Sequence, residues 1–471
     1  MNRKKYLAKN TMIFALNSIG TRLITFLLVP LYTKAFIKSE FGIVDLVTTI
    51  ATLFVPIITI NIGEAVMRFS LDENADQDKI VNIGAFILAL SVMFGTSIFL
   101  IILLFPQIKI NVGLVYFYCI SQGIYQVFSC ILRGKEKLLQ FAIGNILLTF
   151  LSAILNIVFL LFFKIGINGY FLSYIIANMV AGIYCFISGN VFSSLRKFSI
   201  DMKLLKKMSK YSIVLVPNSL MWWLMNSSDH IMVTFMISAA ANGVYAISYK
   251  LPSILAALAS VFNQAWSYSA IHEDKSLDRE KFSNTMYDKL VRFQFVITVG
   301  LMCIIKPLMK IYVDSAFYDA WRYTPYLLAG NFFLTISTFL STSYTVNKDS
   351  RGFLLSASVG AFINIILNFI LIPIIGVHGA AFATCISYII VFIYRIIDTK
   401  KYIVIHVFDK EYIIGYLMII VTACSMAVPG YIGQCLLILD TFLMMLLNRK
   451  FLLECFENLV KIVKNKLIKN E

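Results

Sequence analysis

The chain is poor in charged residues and in the motifs that soluble enzymes carry. Only 14% of its 471 residues are Asp, Glu, Lys or Arg, whereas 59% are hydrophobic. The eight cysteines occur singly, without a CxxC pair or a Cys/His cluster, so we predict neither a disulfide framework nor a metal site. A GxxxxGK(S/T) phosphate loop is also missing, so we expect no ATP hydrolysis by the chain itself.

Long polar loops are missing as well, and their absence excludes several classes of protein. No loop is large enough for a soluble catalytic domain, so we predict that the chain is not an enzyme and needs no cofactor. A polymerising membrane glycosyltransferase would carry a large extracytoplasmic loop or clustered catalytic carboxylates, and we find neither. The net charge is +16, but no loop is long enough to form a soluble domain with a basic face, so nucleic-acid binding is not expected.

What the sequence has in abundance is unbroken apolar segments. Its mean hydropathy is +0.81, and a soluble protein of this length could not bury so much apolar surface. The segments are about 20 residues long, as a helix across a bilayer requires, and they lack the alternating pattern of barrel strands. The hydropathy therefore predicts an all-α integral membrane protein with about 14 transmembrane helices.

The predicted spans form two groups of six, followed by a weaker pair. The first group is 11–32, 41–62, 80–104, 112–132, 141–163 and 166–192. The second group is 211–237, 244–270, 290–312, 323–344, 353–375 and 377–397, and the last pair is 412–428 and 431–448. We therefore divide the chain into a six-helix lobe at 1–192, an amphipathic linker at 193–210, a second six-helix lobe at 211–397, and a helix pair with a basic tail at 398–471.

An internal repeat relates the two groups of six. Three pairs of segments show it, at separations of 201, 201 and 210 positions: Asn17-Ser18 with Asn218-Ser219, Gly42 with Gly243, and Ile165-Gly166-Ile167-Asn168-Gly169 with Ile375-Gly376-Val377-His378-Gly379. Because six is even, both copies begin on the same side of the membrane. Membrane proteins built from two similar halves are usually transporters with the substrate path between the halves.

The basic residues predict the orientation. Loops on the N-terminal side of the membrane hold most of them, including the linker residues Arg196, Lys197, Lys203, Lys206, Lys207 and Lys210. Since Lys and Arg stay cytoplasmic, we predict a bacterial cytoplasmic (inner) membrane protein with both termini inside. The linker and the tail are predicted to lie against anionic lipids of the inner leaflet, although a solvated tail is an equal alternative.

Cations inside the apolar segments are candidate functional groups, because a charge in the bilayer is costly. Arg22 lies near the middle of the first span, too deep for easy snorkelling, and its planar guanidinium suits phosphate. A structural pair with Asp45 is the alternative. Lys250 is a candidate second cation or an outer anchor, and Arg292 is a candidate third cation or a cytoplasmic anchor.

Polar and acidic residues in the spans are candidates for lining a cavity or coupling to an ion. The run Asn226-Ser227-Ser228-Asp229-His230 predicts a water-exposed face, on which Asp229 could bind a proton or cation or bond a sugar. His230 is a lesser candidate, as is Asp45.

Glu64 and Arg68 are weaker candidates of the same kind. Their spacing of four residues also allows them simply to pair with each other. Trp222 and Trp223, in the middle of the seventh span, are candidates for stacking on sugar rings.

The order and spacing of short motifs resemble one family. The motifs are Ser39-Glu40-Phe41-Gly42, Asp229, Asn242-Gly243-Val244-Tyr245, Asn263-Gln264-Ala265-Trp266, and Leu367-Asn368 before the second repeat turn. The chain resembles the O-antigen and capsule repeat-unit flippases. These are polysaccharide biosynthesis proteins of the multidrug/oligosaccharidyl-lipid/polysaccharide exporter superfamily.

This resemblance implies a flippase that moves undecaprenyl-pyrophosphate-linked oligosaccharide to the outer face of the membrane by alternating access. Related flippases carry a first-helix arginine in the cavity, and Arg22 matches that place. The implied pathway is capsule, O-antigen or exopolysaccharide assembly, with a polysaccharide polymerase as a candidate partner. The alternatives are a lipid II flippase and an ion-coupled multidrug exporter of the same superfamily. The sugar and the coupling ion stay open.

Overall fold

The computed structural model describes residues 19–72, 74–104, 111–272 and 276–468. Within these ranges the chain forms helices joined by turns and short loops, and no strand occurs. The predicted all-α class is therefore confirmed. Nine of the described helices are long and apolar enough to cross a membrane, or ten if Ala239–Ser248 and Lys250–Ile271 are one bent span. The count of fourteen stays a prediction.

The chain forms two compact units, of which the first ends at Ile247 and the second begins at Ser248. The predicted domain limits at 192, 210 and 397 stay a prediction. In the first unit residues 19–27 are helical, and Asn17-Ser18 lies outside the described residues. The helices that follow are α1 (Val29–Ala35), α2 (Lys38–Ile58), α3 (Ile62–Ser70), α4 (Gln77–Ile102), α5 (Val112–Gly134), α6 (Leu138–Ile157), α7 (Ile167–Ser188), α8 (Val191–Arg196), α9 (Met202–Met236) and α10 (Ala239–Ser248).

The core of the first unit is aliphatic, and its outer surface is apolar too. Val66 of α3, Ile83 of α4, Ile131 of α5 and Met208 of α9 are fully buried in one cluster. By contrast Phe94 is 60% exposed, which is expected where lipid is the solvent, because helix association there gains nothing from hiding apolar groups. Helix α9 begins at Met202, inside the predicted linker, and continues into the seventh span, so residues 202–210 of the linker are the first part of that helix.

Helices α2 and α3 are separated by an irregular turn inside the predicted second span. Ile60 and Asn61 have positive φ angles of 45° and 56°, which are unfavourable for a β-branched residue such as Ile60. The Ile58 carbonyl accepts a hydrogen bond from Ser91 Oγ at 3.0 Å, and the Asn61 carbonyl accepts one from Ser212 Oγ at 3.4 Å. Hydroxyl groups of α4 and α9 thus donate hydrogen bonds to backbone carbonyls that lipid hydrocarbon could not satisfy.

The second unit surrounds one deeply buried helix. Helix α13 is buried along most of its length, because α11, α12 and α15 pack around it. The described helices of this unit are α11 (Lys250–His272), α12 (Arg279–Tyr312), a 3-10 segment (Ser315–Arg322), α13 (Thr324–Val346), α14 (Ser350–Ile375), α15 (Val377–Thr399), α16 (Lys410–Ser425), α17 (Gly430–Leu447) and α18 (Arg449–Ile468). Helices α16 and α17 correspond to the weaker predicted pair.

The repeat turns have the same backbone in both units. Gly166 before α7 has φ 64° and ψ −140°, and Gly376 before α15 has φ 61° and ψ −140°. A buried asparagine precedes each turn, ten residues before it in the first unit (Asn156) and eight in the second (Asn368). The longer spacing coincides with a π-helical stretch, Val158–Phe162. The wider helical turn takes up part of the two-residue insertion.

Candidate functional site

Three polar side chains meet where α2 packs against α9 and α10 in the first unit. His230 Nδ1 lies 2.7 Å from Asp45 Oδ2. Asn242 Nδ2 donates to the same oxygen at 3.1 Å and to the Gly42 carbonyl at 3.1 Å. The His230 and Asp45 side chains are only 10% and 13% exposed. Residues 185 positions apart in the chain therefore belong to one buried hydrogen-bonded group.

Asp229 lies next to this group and is buried as well. Tyr245 donates its hydroxyl to Asp229 Oδ2 at 2.6 Å, and the His230 backbone N–H donates to Asp229 Oδ1 at 3.0 Å. The polar run was predicted to face water, but Ser228, Asp229 and His230 are buried against other helices. The structure brings Asp45, Asp229 and His230 together, and their coupling role stays a prediction.

Two glycines related by the repeat allow α2 and α10 to approach closely. Gly42 and Gly243 each lie against the backbone of the other helix. A Cβ atom on Gly42 would overlap the Ala239 carbonyl, and one on Gly243 would overlap the Lys38 carbonyl. Only glycine fits at such a crossing. This crossing fixes the position of the hydrogen-bonded group around Asp45.

Polar contacts continue along α2 and α9 beyond this group. Trp223 Nε1 donates to the Thr49 carbonyl at 3.0 Å, and Asn61 Nδ2 donates to Ser219 Oγ at 2.9 Å. The indole N–H of Trp223 is therefore occupied, and sugar stacking by Trp222 and Trp223, both half-buried, stays a prediction. We name this line of contacts the α2–α9 seam: Asp45 with His230, Thr49 with Trp223, and Asn61 with Ser219.

Two of the three predicted phosphate-binding cations are Arg22 and Lys250. Arg22 lies in the helical residues 19–27 of the first unit and has an exposed side chain. Lys250 is the first residue of α11 in the second unit and is half-buried. Each unit thus provides one of these two cations, and their role at a phosphate stays a prediction.

Arg292, the third predicted cation, is engaged by acidic side chains of the second unit. Its Nε donates to Asp288 Oδ1 at 2.7 Å, and its Nη2 donates to Glu411. The same Asp288 oxygen accepts the Tyr412 hydroxyl at 2.7 Å. A pyrophosphate would have to compete with two carboxylates for this guanidinium. The geometry therefore favours the anchor alternative, and the phosphate role stays a prediction.

The suggested pairing of Glu64 with Arg68 is wrong. Arg133 Nη1 lies 3.5 Å from Glu64 Oε1, and Arg68 Nη1 lies 2.6 Å from Asp72 Oδ1. Glu64 and Asp72 both lie four residues from Arg68 in the sequence, and Arg68 pairs with Asp72. Glu64 meets Arg133 because α3 packs against α5. A role for Glu64 or Arg68 in lining a cavity or in coupling stays a prediction.

Arg395 is a buried cation that the sequence analysis missed. It is fully buried in α15, where Nε donates to Ser356 Oγ at 3.1 Å and Nη1 donates to the Ser337 carbonyl at 3.1 Å. Its place near the end of a span made it look like an ordinary basic residue at the membrane surface. The pattern that could have found it is the pair of serines that α13 and α14 present at the same depth.

An apolar cavity of about 230 Å³ lies between α2, α4 and α5 of the first unit. Phe54, Phe99 and Tyr116 line it together with aliphatic side chains. Such a lining suits a hydrocarbon chain better than a sugar or a phosphate.

These features define a class of protein: a multi-span membrane chain with the fold of a known group of transporters. The fold is similar to "Lipid II flippase MurJ, inward closed conformation", with a TM-score of 0.68 and 14% identity over 95% of this chain and 100% of that chain. It is similar to an inward-facing MATE family multidrug resistance transporter of the MOP superfamily (0.62, 13%, covering 83% and 94%). It is also similar to a MOP superfamily transporter from Pyrococcus furiosus (0.57, 15%, covering 83% and 96%).

The sequence itself identifies the family. Residues 7–268, more than half of the chain, match the family described as polysaccharide biosynthesis protein. The chain belongs to this family, which confirms the resemblance drawn from the motifs. No curated protein sequence matches the chain.

Proposed function

We propose that this protein is a flippase for undecaprenyl-pyrophosphate-linked oligosaccharide repeat units. It moves them from the cytoplasmic to the outer face of the bacterial cytoplasmic membrane, for capsule, O-antigen or exopolysaccharide assembly. The observation that carries the proposal is membership of the polysaccharide biosynthesis family, and the fold shared with a lipid II flippase supports it. The work is transport by alternating access, without a chemical reaction or cofactor, and a polymerase would use the product.

Arg22 and Lys250 are proposed to bind the pyrophosphate. A cation in the middle of a span costs about 2.5–3.5 kcal/mol on insertion scales, so its presence needs a compensating role. Arg22 is an exposed residue, and its guanidinium can donate two parallel hydrogen bonds to phosphate oxygens. Lys250 adds a point charge from the second unit.

The other parts of the substrate make different demands. The apolar cavity between α2, α4 and α5 suits the polyprenyl tail, because its lining is almost entirely hydrocarbon. Trp222 and Trp223 are the proposed sugar-stacking residues. Since the Trp223 N–H is bonded to the Thr49 carbonyl, its ring face is the part that would contact a sugar.

The membrane topology is part of the proposal. Both termini are proposed to be cytoplasmic, with the exposed lysines at the start of α9 against anionic lipids. Met208 in the same stretch is fully buried in the protein core, so the segment is held by the protein while its lysines stay exposed.

A lipid II flippase is the second candidate, and the observation that favours it is the similarity to MurJ over nearly the whole chain. A multidrug exporter is less well supported, because cationic drugs would be repelled by Arg22 and Lys250.

The test is translocation of a fluorescent lipid-linked oligosaccharide in proteoliposomes, measured by its accessibility to an external quencher. Arg22→Ala should reduce the rate about tenfold or more, because a charge-assisted hydrogen bond contributes about 1.5–3 kcal/mol. Arg22→Lys should keep part of the rate, since it retains the charge but not the bidentate geometry.

The matched control is Arg351→Ala, which removes an exposed arginine from the second unit and should leave the rate unchanged. Parallel vesicles with lipid II and with a cationic dye separate the three candidate functions. Transport of lipid II alone would favour the second candidate, and transport of the dye alone would overturn both. Undiminished transport by Arg22→Ala would remove the phosphate role of this residue.

A further inference from the structure

Asp45 and His230 form a buried acid–base pair between helices of the two repeat copies. Histidine is the side chain whose charge ordinarily changes between about pH 5 and pH 8. Asp45 Oδ2 accepts an N–H from Asn242 at 3.1 Å and lies 2.7 Å from His230 Nδ1. Because an ionised carboxylate carries no proton, Asp45 Oδ2 acts as an acceptor toward both nitrogens. Nδ1 of His230 therefore carries a proton and donates it to Asp45.

This geometry determines where a further proton can bind. Because Nδ1 is already protonated, the next proton from water joins Nε2 and makes the imidazole cationic. The contact with Asp45 then changes from a neutral donor on a carboxylate to an ion pair with the same hydrogen bond. The hydrogen bond is charge-assisted in both states because its acceptor is ionised, and protonation adds the attraction between opposite charges, which burial strengthens. Protonation therefore tightens the contact between α2 and α9.

We propose that Asp45 and His230 form a proton-binding site that holds α2 against α9 when His230 is charged and loosens this contact when the proton leaves. The second half of the inference rests on the proposed function: the proton is then the coupling ion of the flippase. A proton gradient across the membrane would shift the equilibrium between the closed and open states of the α2–α9 seam. This shift would set the direction of transport.

The neighbouring helices carry other charged or titratable groups. They are Lys38 and Glu40 on α2, Asp229 on α9 and Tyr245 on α10, and Lys250 follows α10 in the chain. Glu40 bonds the Ile37 amide at 3.1 Å, at the N-terminus of α2. Asp229 accepts from the Tyr245 hydroxyl and from the His230 backbone N–H.

The same region also contains the parts that a movement of α2 needs. The irregular turn at Ile60 and Asn61 separates α2 from α3, while Val66 of α3 stays fully buried in the core. Rotation at this turn would carry α2 away from α9 without disturbing α3. At the crossing of Gly42 with Gly243 the backbones touch, so α2 must separate from α10 as a rigid body.

The test is a distance measurement that needs no substrate. Ile37 and Ile237, both exposed, lie just before α2 and just after α9. Cysteines at these two positions, in the full chain with the eight native cysteines replaced, would carry spin labels. We expect the population at short label distance to rise as the pH falls from about 8 to about 5.

Two variants and one control define the outcome. His230→Gln keeps a hydrogen-bond donor but cannot titrate, and Asp45→Asn cannot form the ion pair, so both should remove the pH dependence. His378→Gln changes the histidine that contacts Tyr323 in the second unit and should leave the pH dependence intact. An unchanged distance distribution in the unsubstituted pair, or a full pH response in His230→Gln, would overturn the proposal.

Transport separates this inference from the proposed function. In proteoliposomes with lipid-linked oligosaccharide, an imposed proton gradient should accelerate translocation by the wild type but not by His230→Gln. If the label distances respond to pH while no glycolipid moves, the proton site stands and the proposed substrate fails. If glycolipid moves equally with and without the gradient in both proteins, the flippase stands and the coupling role of the pair fails.

Discussion

The helix pair α6–α7 of the first unit and the pair α14–α15 of the second have the same backbone conformation at their connecting turn. The side chains packed between the two helices differ. Counted from Asn156 and Gly166, the positions of Ser356 and Arg395 correspond to Gly144 and Cys185. A Cβ on Gly144 would lie 3.0 Å from Cys185 Sγ, while Arg395 Nε donates to Ser356 Oγ at 3.1 Å. One crossing is closed by small groups in van der Waals contact, and the other holds a fully buried guanidinium between hydroxyls.

The difference teaches that a repeat can conserve its packing while its chemistry diverges. A buried cation costs several kcal/mol unless hydrogen bonds compensate it. In the second unit Ser356 and the Ser337 carbonyl compensate Nε and Nη1 of Arg395, although its Nη2 has no hydrogen-bond partner among the described residues. At the C-terminal end of the helix Lys401 forms an ion pair with Asp398. The hydrogen bond to Asp398 raises the pKa of Lys401 to about 12, so this second cation stays charged.

The largest effect on stability is expected when the buried arginine of the second unit is introduced at the corresponding position of the first unit. Cys185→Arg would bury a guanidinium against Gly144, which has no side chain to accept a hydrogen bond. The substitution should destabilise the protein by about 4 kcal/mol or more. Loss of the monodisperse peak in detergent chromatography would show it. The double variant Cys185→Arg with Gly144→Ser should recover part of the stability. No recovery would mean that the serine is not what allows Arg395 to be buried.

An intermediate effect is expected when Arg395 loses one acceptor. Ser356→Ala leaves the Nε donor buried without its partner and should cost about 1–3 kcal/mol, measured by thermal unfolding in detergent. Arg395→Met fills a similar volume without a charge, so Ser356→Ala in that background should cost much less. Equal costs in the two backgrounds would show that the hydrogen bond contributes nothing to stability.

The smallest effect is a difference between two equivalent substitutions. Gly166→Ala and Gly376→Ala each force a side chain into a backbone region that only glycine populates well, and each should cost about 1–3 kcal/mol. Neither added Cβ meets another atom within 4 Å, so backbone strain alone sets the cost. The two melting temperatures should therefore fall by nearly the same amount. Clearly unequal shifts would contradict the equivalence of the two turns.

The sequence predicted the parts of the fold that repeat or that are plainly apolar. The helical class, the two repeat turns and the last helix pair follow from hydropathy and from matching glycines. The turn at Ile60 and Asn61 could not be predicted, because the β-branched Ile60 disfavours a positive φ and the hydrogen bonds that stabilise the turn come from Ser91 and Ser212 on other helices. Tertiary hydrogen bonds decide such a position.

The candidate site was predicted residue by residue but not as an assembly. Asp45, Asp229 and His230 were selected singly because charges in spans are costly, yet the sequence gives no sign that His230 bonds a residue 185 positions away. The alternative pairing of Glu64 with Arg68 is wrong because helical spacing ignores the neighbouring helix that supplies Arg133. Arg395 was missed because its depth in the membrane could not be judged without knowing where the span ends.

The contact between Gly42 and Gly243 has a consequence for mutation. Each is the repeat counterpart of the other, and each abuts the other's helix, so the contact is isologous like that of a symmetric homodimer. In a dimer of identical chains, one mutation would alter both sides of such a contact at once. In this single chain each side can be changed alone, so one substitution gives a half-altered crossing that no symmetric dimer can show.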